Sequence, residues 1–417
     1  MSNIIKLYED NLKELAEQYT PSGSEVKAVI HQWLHAIAFE NELFGFGVKK
    51  EEIINELIEA NLYTDPNSFK ELITDTIYLK QEVDPNIGGF TFIDLFAGVG
   101  GMRQGFEKAG GRCVFSSEFE KNAQNTYEEN YGEYPFGDIT AIDPKDIPQH
   151  DVLVGGFPCQ PFSHAGKKLG VEDTRGTLFH NIAKIIQLKR PIAVLLENVK
   201  GLISHDKGYT LKVVLTTLIN EGYHCNIPDE IIRGDNIKRL QDHAKIMVMK
   251  SREFGVPQNR QRIYIVLWRN DLPIYFDYPV PPNTPTNVGQ ILEERPELKY
   301  TISDRLWAGH RNRKLKNKIE GKGFGYGIVN EETVYTNTIS ARYYKDGSEI
   351  LIEQENANPR KLTPREAGRL QGFPDSFILN RSNVQAYKQF GNSVTIPVVY
   401  AVANSMREQI MDLFLKQ

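Results

Sequence analysis

The sequence predicts an α/β fold built on a mostly parallel sheet. Short apolar runs rich in β-branched residues recur at 90–96, 113–117, 151–154 and 192–196, and runs of this length are typical of buried strands. Stretches with helical spacing separate them, as around 182–188. Within two residues of its end, each run reaches a glycine or an acidic residue, at the edge where open α/β sheets bind their ligands.

Length and composition fit a globular protein with one large and one smaller domain. The 417 residues are 40% hydrophobic and 25% charged, which excludes wholesale disorder. No apolar run approaches the ~18 residues that span a bilayer, and residues 1–10 lack the regions of a secretory signal, so we expect a cytoplasmic protein. Cys113, Cys159 and Cys225 are scattered and odd in number, which argues against a disulfide framework and a structural zinc site.

Residues 1–87 are predicted to form a helical extension before the first strand. Apolar positions recur at helical spacing in 26–34 and 53–58, and no catalytic pattern occurs there. Two interpretations stay open. The extension serves packing or linkage, or it is an accessory helical unit that contacts nucleic acid or regulates the protein.

The first predicted strand leads into a glycine-rich turn. Phe96 ends the strand, and Gly98, Gly100 and Gly101 follow before a helical pattern. A strand, a turn without side chains and a helix open a Rossmann-like unit, in which a nucleotide-like ligand can approach the backbone. A tight turn that binds nothing is the alternative.

Two acidic residues complete the pattern of an adenosine site. Glu118 follows the second strand, about 20 residues beyond the turn, where an acidic side chain holds ribose hydroxyls. A third short strand is predicted near 134–137 and leads to Asp138. Asp138 is placed to accept from an adenine amino group while Ile139 covers the ring. The turn lacks the full G-x-G-x-x-G pattern and a Walker lysine, so an adenosine ligand without phosphates, such as S-adenosylmethionine, fits better than a pyrophosphate. Solvated surface carboxylates are the alternative for both acids.

Cys159 is the candidate reactive group at this edge. It follows the run 151–154 and a Gly-Gly pair. Pro158 and Pro161 flank it and stiffen the loop, which fixes the direction of the thiol. A lone cysteine is more often a small core residue, so its neighbours must decide its role.

A carboxyl group and two guanidinium groups are expected near the thiol. Glu197 ends the next strand, so two adjacent strands deliver a thiol and a carboxyl to one crevice, where desolvation favours a carboxyl that can donate a proton. Helix capping is the alternative for Glu197. Arg260 and Arg262 stand at the start of a last strand at 262–267, expected to close the sheet in the antiparallel sense, where a guanidinium can bind phosphate or a carbonyl oxygen.

The composition changes after residue 271 and predicts a second domain. A proline-rich linker at 278–285 cannot form regular structure. The net charge of −5 does not indicate a nucleic-acid partner, but a local basic region and a predicted strand at 336–344 suit phosphate contact and reading of base edges. A solvated charged face is the alternative. The residues of interest are Arg311, Arg313, Lys314, Lys316, Lys318 and Lys322 in the basic region and Arg342 and Tyr343 in the strand.

The C-terminal part contains two helix starts. Thr363 and Pro364 have the residue types of an N-cap and a first helical position. Asn392 and Ser393 are expected to open the last helix, which would return to the first domain and complete the ligand pocket.

These motifs, in this order, resemble those of the DNA (cytosine-5) methyltransferase family, from about Phe90 to the C terminus. Six short motifs in one order leave little room for coincidence. They are the cofactor-binding motif at 96–101, the nucleophile motif at 158–160, the proton-donor motif at 197–199, the arginine motif at 258–262, the motif that supports the target domain at 360–366 and the closing motif at 391–393.

The resemblance implies an S-adenosylmethionine-dependent methyltransferase fold in three parts: a helical N-terminal extension (1–87), a catalytic and cofactor-binding domain (88–270, completed by 385–417) and a target-recognition domain (271–384). It implies S-adenosylmethionine as the cofactor and no metal. The implied cofactor residues are Phe96, Gly98, Gly100, Gly101, Glu118, Asp138, Ile139, Pro158, Asn392 and Ser393. The expected DNA contacts are Arg311, Arg313, Lys314, Lys316, Lys322, Arg342 and Tyr343.

The implied reaction is methylation of cytosine carbon 5 in double-stranded DNA. Cys159 adds to carbon 6 of a flipped-out base, Glu197 donates to ring nitrogen 3, and carbon 5 then takes the methyl group. Arg262 is expected to hold the ring carbonyl and to favour the thiolate, with Arg260 as support.

Substrate and partners are less narrowly defined. Residues 323–327 and 338–347 look like the Dcm-like group, which modifies the inner cytosine of CCWGG or CCNGG sites, while the polar stretch 229–243 departs from shorter family members. An RNA (tRNA) cytosine methyltransferase and a DNA-binding regulator with the same fold are the alternatives; the long basic target domain favours DNA, and the catalytic residues favour turnover. We expect a monomer. A cognate restriction endonuclease, as a functional rather than a physical partner, is left open.

Overall fold

The computed structural model describes residues 3–76, 89–158, 177–323 and 325–412. The chain divides into two compact units. The first unit comprises 1–248, 262–279 and 402–417, and the second comprises 249–261 and 280–401. Within the described ranges, no helix is both long enough and apolar enough to cross a membrane.

The N-terminal segment is helical, as predicted. It contains α1 (Asn3–Glu17), α2 (Val26–Phe39), α3 (Lys50–Glu59) and α4 (Pro66–Thr76). Helix α2 is the most enclosed, because every residue from 28 to 38 is buried. All four helices belong to the first unit.

The first unit is organised around one sheet. Its strands are β1 (Phe90–Leu95), β2 (Gly111–Ser117), β3 (Val152–Gly156), β4 (Ala193–Val199), β5 (Tyr223–His224) and β7 (Gln261–Arg269), while a short strand β6 (Val248–Lys250) precedes β7. Between them stand α5 (Gly101–Lys108), α6 (Lys121–Tyr131), α7 (Leu178–Lys189), α8 (Tyr209–Asn220), α9 (Asp229–Arg233) and α10 (Ile237–His243). The order along the sheet is β2-β1-β3-β4-β7-β5, with β1 to β4 parallel and β7 antiparallel to β4 and β5. The mostly parallel sheet with an antiparallel strand was the predicted architecture.

The register of the parallel strands aligns the ends that carry functional residues. Leu95 of β1 pairs with Ser117 of β2 and with Gly155 of β3, and Gly155 pairs with Leu196 of β4. The residue that follows each of these therefore lies in one row at one edge of the sheet. That row contains Phe96, Glu118, Gly156 and Glu197.

The second unit is mainly loops and helices around a three-stranded sheet. Its elements are α11 (Asp304–Glu320), β8 (Ile328–Val329), β9 (Leu351–Ile352), β10 (Arg360–Lys361), α12 (Pro364–Arg369), α13 (Asn383–Asn392) and the first part of α14 (Ile396–Met406). Strand β9 pairs with β10 antiparallel and with β8 parallel. Helix α12 begins where the sequence predicts, because Thr363 and Glu366 form a reciprocal capping box with proline at the first helical position.

Two predicted strands are wrong. The segment 336–344 makes an isolated bridge at Thr336 and then turns, since the Tyr343 N–H donates to the Ser340 carbonyl at 3.0 Å. The segment near 134–137 is reduced to an isolated bridge between Ser117 and Phe136.

The second unit differs in extent from the predicted target-recognition domain at 271–384. It also includes 249–261 and continues to Ala401. Long-range hydrogen bonds account for this, because Thr336 donates to the Pro257 carbonyl and accepts from the Asn259 N–H, at 2.8 and 2.9 Å. The departing stretch 229–243 forms α9 and α10.

A buried ionic cluster lies under the glycine-rich turn. The Arg103 guanidinium donates to Glu107 at 2.6 Å, to Glu133 at 2.5 Å and to the Tyr127 hydroxyl at 2.9 Å, and Arg103 and Glu107 are almost fully buried. Asp94, in β1, is also fully buried. Burial raises the pKa of the Asp94 carboxyl from 3.8 to about 8, and the nearby charge of Arg103 opposes this rise only in part.

The raised pKa of Asp94 makes the stability depend on pH. The native state keeps the Asp94 proton up to about pH 8, whereas the unfolded chain releases it above 3.8, so the free energy of unfolding falls as pH rises between these values. Asp94→Asn cannot ionise. We therefore expect its stability relative to the wild type to improve by up to about 1.4 kcal/mol per pH unit from about pH 5 to 7.5, measured by urea unfolding. The same substitution at the exposed Asp10 is the control, and parallel curves for wild type and Asp94→Asn would contradict the prediction.

Candidate active site

The glycine-rich turn after β1 depends on left-handed backbone conformations. Phe96, Gly98 and Gly100 have φ angles of +59°, +57° and +80°. A side chain at Gly100 would overlap the ring of Tyr131, whose hydroxyl donates to the Gly100 carbonyl at 3.0 Å. Phe96 is the strained member, because a bulky residue rarely adopts this conformation, and such strain clusters at ligand sites.

Glu118 connects the turn to the end of β2. Its carboxylate accepts from the Gly98 N–H at 2.8 Å and from the Glu120 N–H at 2.7 Å. Burial raises the pKa of Glu118, although these backbone hydrogen bonds lower it in part. The turn and the acid that the sequence predicts as one site are therefore in direct contact.

Asp138 and Ile139 have different surroundings from those expected. The Asp138 carboxylate caps a short helical turn and accepts from the Thr140 N–H at 2.9 Å. Ile139 belongs to the hydrophobic core and is only 3% exposed, and its expected contact with an adenine ring stays a prediction. Sequence reasoning missed Phe119, whose ring is 78% exposed beside Glu118. An aromatic residue directly after the acid was the available signal.

The loop that carries the candidate nucleophile is only partly described. Pro158 is exposed, and Cys159 lies outside the described residues. The main chain just before it is held by Asn198, whose side-chain amide donates to the Phe157 carbonyl at 2.7 Å. The same side chain accepts from the Val199 N–H at 2.8 Å, so Asn198 connects the end of β4 to the start of the loop.

Glu197 and Arg262 meet at the edge between β4 and β7. Antiparallel pairing places Arg262 opposite Val199, and the guanidinium Nε lies 3.1 Å from the Glu197 carboxylate. A methyl group at Gly156 would lie 3.2 Å from the Glu197 carboxylate, so glycine leaves room for it. Glu197 is within β4, which excludes the helix-capping alternative. The expectation that Glu197 donates a proton stays a prediction.

Arg260 has a different task from Arg262. It lies in the second unit, 2% exposed, and donates to the main-chain carbonyls of Ile339, Gly391 and Ser393, at 3.3, 3.3 and 2.5 Å. The buried guanidinium thus holds main-chain carbonyls of the second unit. The expected support that Arg260 gives to Arg262 in the reaction stays a prediction.

The closing motif also differs from its prediction. Helix α13 ends at Asn392, whereas Asn392 and Ser393 were expected to open the last helix, which begins at Ile396. Ser393 is the C-cap of α13. The expected contact of both residues with the cofactor stays a prediction.

The basic residues predicted to bind DNA lie mainly on α11. This helix has one buried residue, His310, and its arginine and lysine side chains are exposed. Arg313 forms an ion pair with Asp346 at 2.9 Å, and the Lys314 ammonium lies 4.1 Å from the Tyr326 ring centroid. Lys316 and Lys322 lie within 3.8 and 3.4 Å of Glu320.

The other two predicted DNA contacts, Arg342 and Tyr343, differ in exposure. Arg342 is exposed. Tyr343 is fully buried, and its hydroxyl donates to the Ile350 carbonyl and accepts from the Leu362 N–H, both at 2.7 Å. The expectation that Tyr343 contacts DNA is therefore wrong, because its polar group is already bonded inside the unit.

Comparison with known proteins decides the family. The model of the family described as C-5 cytosine-specific DNA methylase matches residues 90–408. The chain belongs to this family. The methylase is 56% identical to the type II methyltransferase M1.ScrFI of Lactococcus lactis subsp. cremoris, over 76% of this chain and 78% of that protein. It is also 56% identical to M.NlaX of Neisseria lactamica, over 76% and 96% of the two chains, and 39% identical to M.HpaII of Haemophilus parainfluenzae, over 84% and 98%.

Solved structures support the fold of the methylase. A crystal structure of a mutant Spodoptera frugiperda DNMT2 has a TM-score of 0.59 and 21% identity, and it covers 76% of this chain and 99% of that one. The family resemblance is thus confirmed. The methylase transfers a methyl group from S-adenosylmethionine to carbon 5 of cytosine in DNA.

The bridge made by Asn198 predicts a selective loss of turnover. In Asn198→Ala the Phe157 carbonyl loses its donor, so the main chain two residues before Cys159 is no longer bonded to β4. We expect kcat to fall roughly 10- to 100-fold, since small displacements of reacting groups are costly. The KM for S-adenosylmethionine should stay near the wild-type value, and both constants come from labelled methyl transfer. Asn404→Ala, which removes an exposed hydrogen bond to Glu408, is the matched control. Equal losses in the two variants would contradict the prediction.

Proposed function

We propose that the methylase modifies cytosine through a covalent adduct between Cys159 and carbon 6 of a flipped-out base. The observation that carries this proposal is the pairing of Gly156 with Glu197 and the ion pair of Glu197 with Arg262. These contacts bring a carboxylate and a guanidinium to the end of β3, three residues before Cys159 in the sequence.

The residues after β1 and β2 fit an adenosine-containing cofactor. The turn has backbone N–H groups and no side chains at Gly98 and Gly100, and Glu118 supplies a carboxylate beside it. We assign Glu118 to the ribose hydroxyls, Asp138 to the adenine amino group and the exposed Phe119 ring to the adenine face. When bound there, S-adenosylmethionine supplies an electrophilic methyl group.

The reaction needs a nucleophile because cytosine carbon 5 is too weakly nucleophilic by itself. The Cys159 thiolate adds to carbon 6, and the electron pair of the 5,6 double bond moves towards carbon 5 and ring nitrogen 3. Glu197 holds nitrogen 3 and gives it a proton, so carbon 5 gains electron density. After carbon 5 is methylated, a base removes its hydrogen, Cys159 leaves, and nitrogen 3 returns its proton to Glu197.

Arg262 connects the carboxylate to the base and the thiol. The Arg262 side chain is 17% exposed, and we assign its guanidinium to the ring carbonyl at carbon 2. Its positive charge also favours the thiolate of Cys159 over the thiol.

The base must leave the duplex, because neither ring carbon is accessible within a stacked pair. We assign phosphate contacts to Arg311, Lys314, Lys316 and Lys322, which are exposed on and after α11. Arg313 is a weaker candidate because Asp346 pairs with it.

The segment 338–347 supports a CCNGG or CCWGG target, through its likeness to the Dcm-like group. It is held firmly within the second unit: Thr338 donates to the Asn259 carbonyl at 2.8 Å, and Ser340 donates to Glu349 at 2.5 Å. A side chain at Gly391 would overlap the backbone of Ser340 and Ala341, so the two segments are in close approach. Arg342 is the exposed side chain that we assign to base reading.

Mapping of methylated positions tests this function. Purified methylase is incubated with duplexes that carry each of the four CCNGG sequences, with scrambled duplexes and with tRNA, and labelled methyl transfer and bisulfite sequencing are compared. We expect methylation of the inner cytosine in all four duplexes, or only with a central A·T pair if the target is CCWGG. Methylation elsewhere would contradict the target, and methyl transfer to tRNA alone would contradict the function.

A further inference from the structure

The four N-terminal helices precede the family match, which begins at residue 90. We propose that this helical unit positions the cofactor carboxylates. It does so by clamping the segment 134–138, which ends in Asp138 and lies beside the end of β2, next to Glu118. The proposal rests on the proposed roles of Glu118 and Asp138 in binding S-adenosylmethionine.

On one side, the segment 134–138 is bonded to the end of β2. The Phe136 N–H donates to the Ser116 carbonyl at 2.9 Å, and the Glu118 N–H donates to the Phe136 carbonyl at 2.9 Å. The second bond joins the segment to the backbone of Glu118 itself. A displacement of the segment therefore moves both carboxylates, because Asp138 follows Phe136 by two residues.

On the other side, two side chains of the helical unit hold main-chain groups of the segment. His31 is fully buried; its Nδ1 accepts from the Tyr134 N–H at 3.0 Å. That bond leaves the ring hydrogen on Nε2, which donates to Glu9 at 3.0 Å and fixes the ring. Ser24 Oγ accepts from the Gly137 N–H at 3.0 Å. The helical unit therefore holds the segment at Tyr134 and at Gly137, the residue before Asp138.

The approach between the helical unit and the segment is close. A side chain at Gly137 would overlap the Gly23 carbonyl, so only glycine fits there. Phe44, which follows α2 and is fully buried, has its ring 4.2 Å from Phe136 and stacks on Phe115 of β2 at 5.9 Å between centroids. Gln32 accepts from the Phe44 N–H at 2.7 Å and holds this ring in place.

Charged pairs extend the same contact. Lys27 of α2 donates to both carboxylate oxygens of Glu128 at 2.6 and 2.7 Å, and its ammonium lies 3.9 Å from the Tyr134 ring centroid. Glu25 pairs with Lys121 at 2.5 Å, and Lys121 donates to the Tyr134 hydroxyl at 2.6 Å. The contacts from α2 and its N-cap region converge on Tyr134.

Two variants of the full chain test the clamp. Ser24→Ala removes the acceptor for the Gly137 N–H, and His31→Ala removes the acceptor for the Tyr134 N–H. We expect each to raise the Kd for S-adenosylmethionine roughly three- to tenfold, the range that a lost hydrogen bond produces, as measured by isothermal titration calorimetry. The kcat at saturating cofactor and the KM for DNA should not change, and Ser24→Thr, which keeps the hydroxyl, should restore the wild-type Kd.

Tyr8→Phe is the matched control for stability. It removes a hydrogen bond from the Tyr8 hydroxyl to the Leu62 carbonyl, at 3.0 Å, inside the same helical unit. We expect it to lower Tm without changing the Kd. The clamp would be overturned if Tyr8→Phe and Ser24→Ala lowered Tm equally and also weakened cofactor binding equally. Destabilisation alone would then explain both results.

Glu118→Gln and Asp138→Asn distinguish a failure of the proposed cofactor site from a failure of the proposed clamp. Unchanged cofactor binding in these variants would overturn the proposed cofactor site itself. Weaker binding in them, together with wild-type binding in Ser24→Ala and His31→Ala, would overturn the clamp and leave the cofactor site standing.

Discussion

The structure of the active site depends on the pairing register at the end of β4. Glu197 is opposite Gly156 in the parallel neighbour, and Val199 is opposite Arg262 in the antiparallel one. A shift of one residue in either pairing would turn Glu197 or Arg262 to the other face of the sheet and break their 3.1 Å ion pair. Burial of β4 on both faces fixes this register, because its four residues from Ala193 to Leu196 are fully enclosed. The polar groups of the site thus owe their geometry to apolar packing.

The sequence predicts the parts of the site that follow from local pattern. Glu118 and Glu197 come directly after apolar runs, so their common edge could be inferred, and the start of α12 follows from its capping residues. Long-range partners could not be inferred. Arg260 bonds to the carbonyl of Gly391, 131 residues away, and no local pattern distinguishes it from Arg262. The prediction that Tyr343 contacts DNA is wrong for a similar reason. Its hydroxyl bonds to the Ile350 carbonyl and to the Leu362 N–H, which lie in other parts of the second unit.

The helical unit shows why composition alone left two interpretations open. An amphipathic helix can cover its own protein or another molecule, and its periodicity is the same in both cases. In α2 every residue from 28 to 38 is buried, and its polar members His31 and Gln32 bond to the main chain of the first unit. These contacts show that α2 covers its own protein. The buried polar contacts add a specific geometry that a purely apolar face would not impose.

The central claim is that Cys159 forms a bond to carbon 6 of the target cytosine. It is tested most directly with a duplex in which the target base is 5-fluorocytosine. A base can remove hydrogen from carbon 5 as a proton, but it cannot remove fluorine as a cation, so the adduct persists after methyl transfer. Intact mass and peptide mapping should locate one DNA adduct on Cys159 in the wild type and in Cys225→Ser, whose cysteine is buried, and none in Cys159→Ser. An adduct on another residue, or one that forms in Cys159→Ser, would contradict the account.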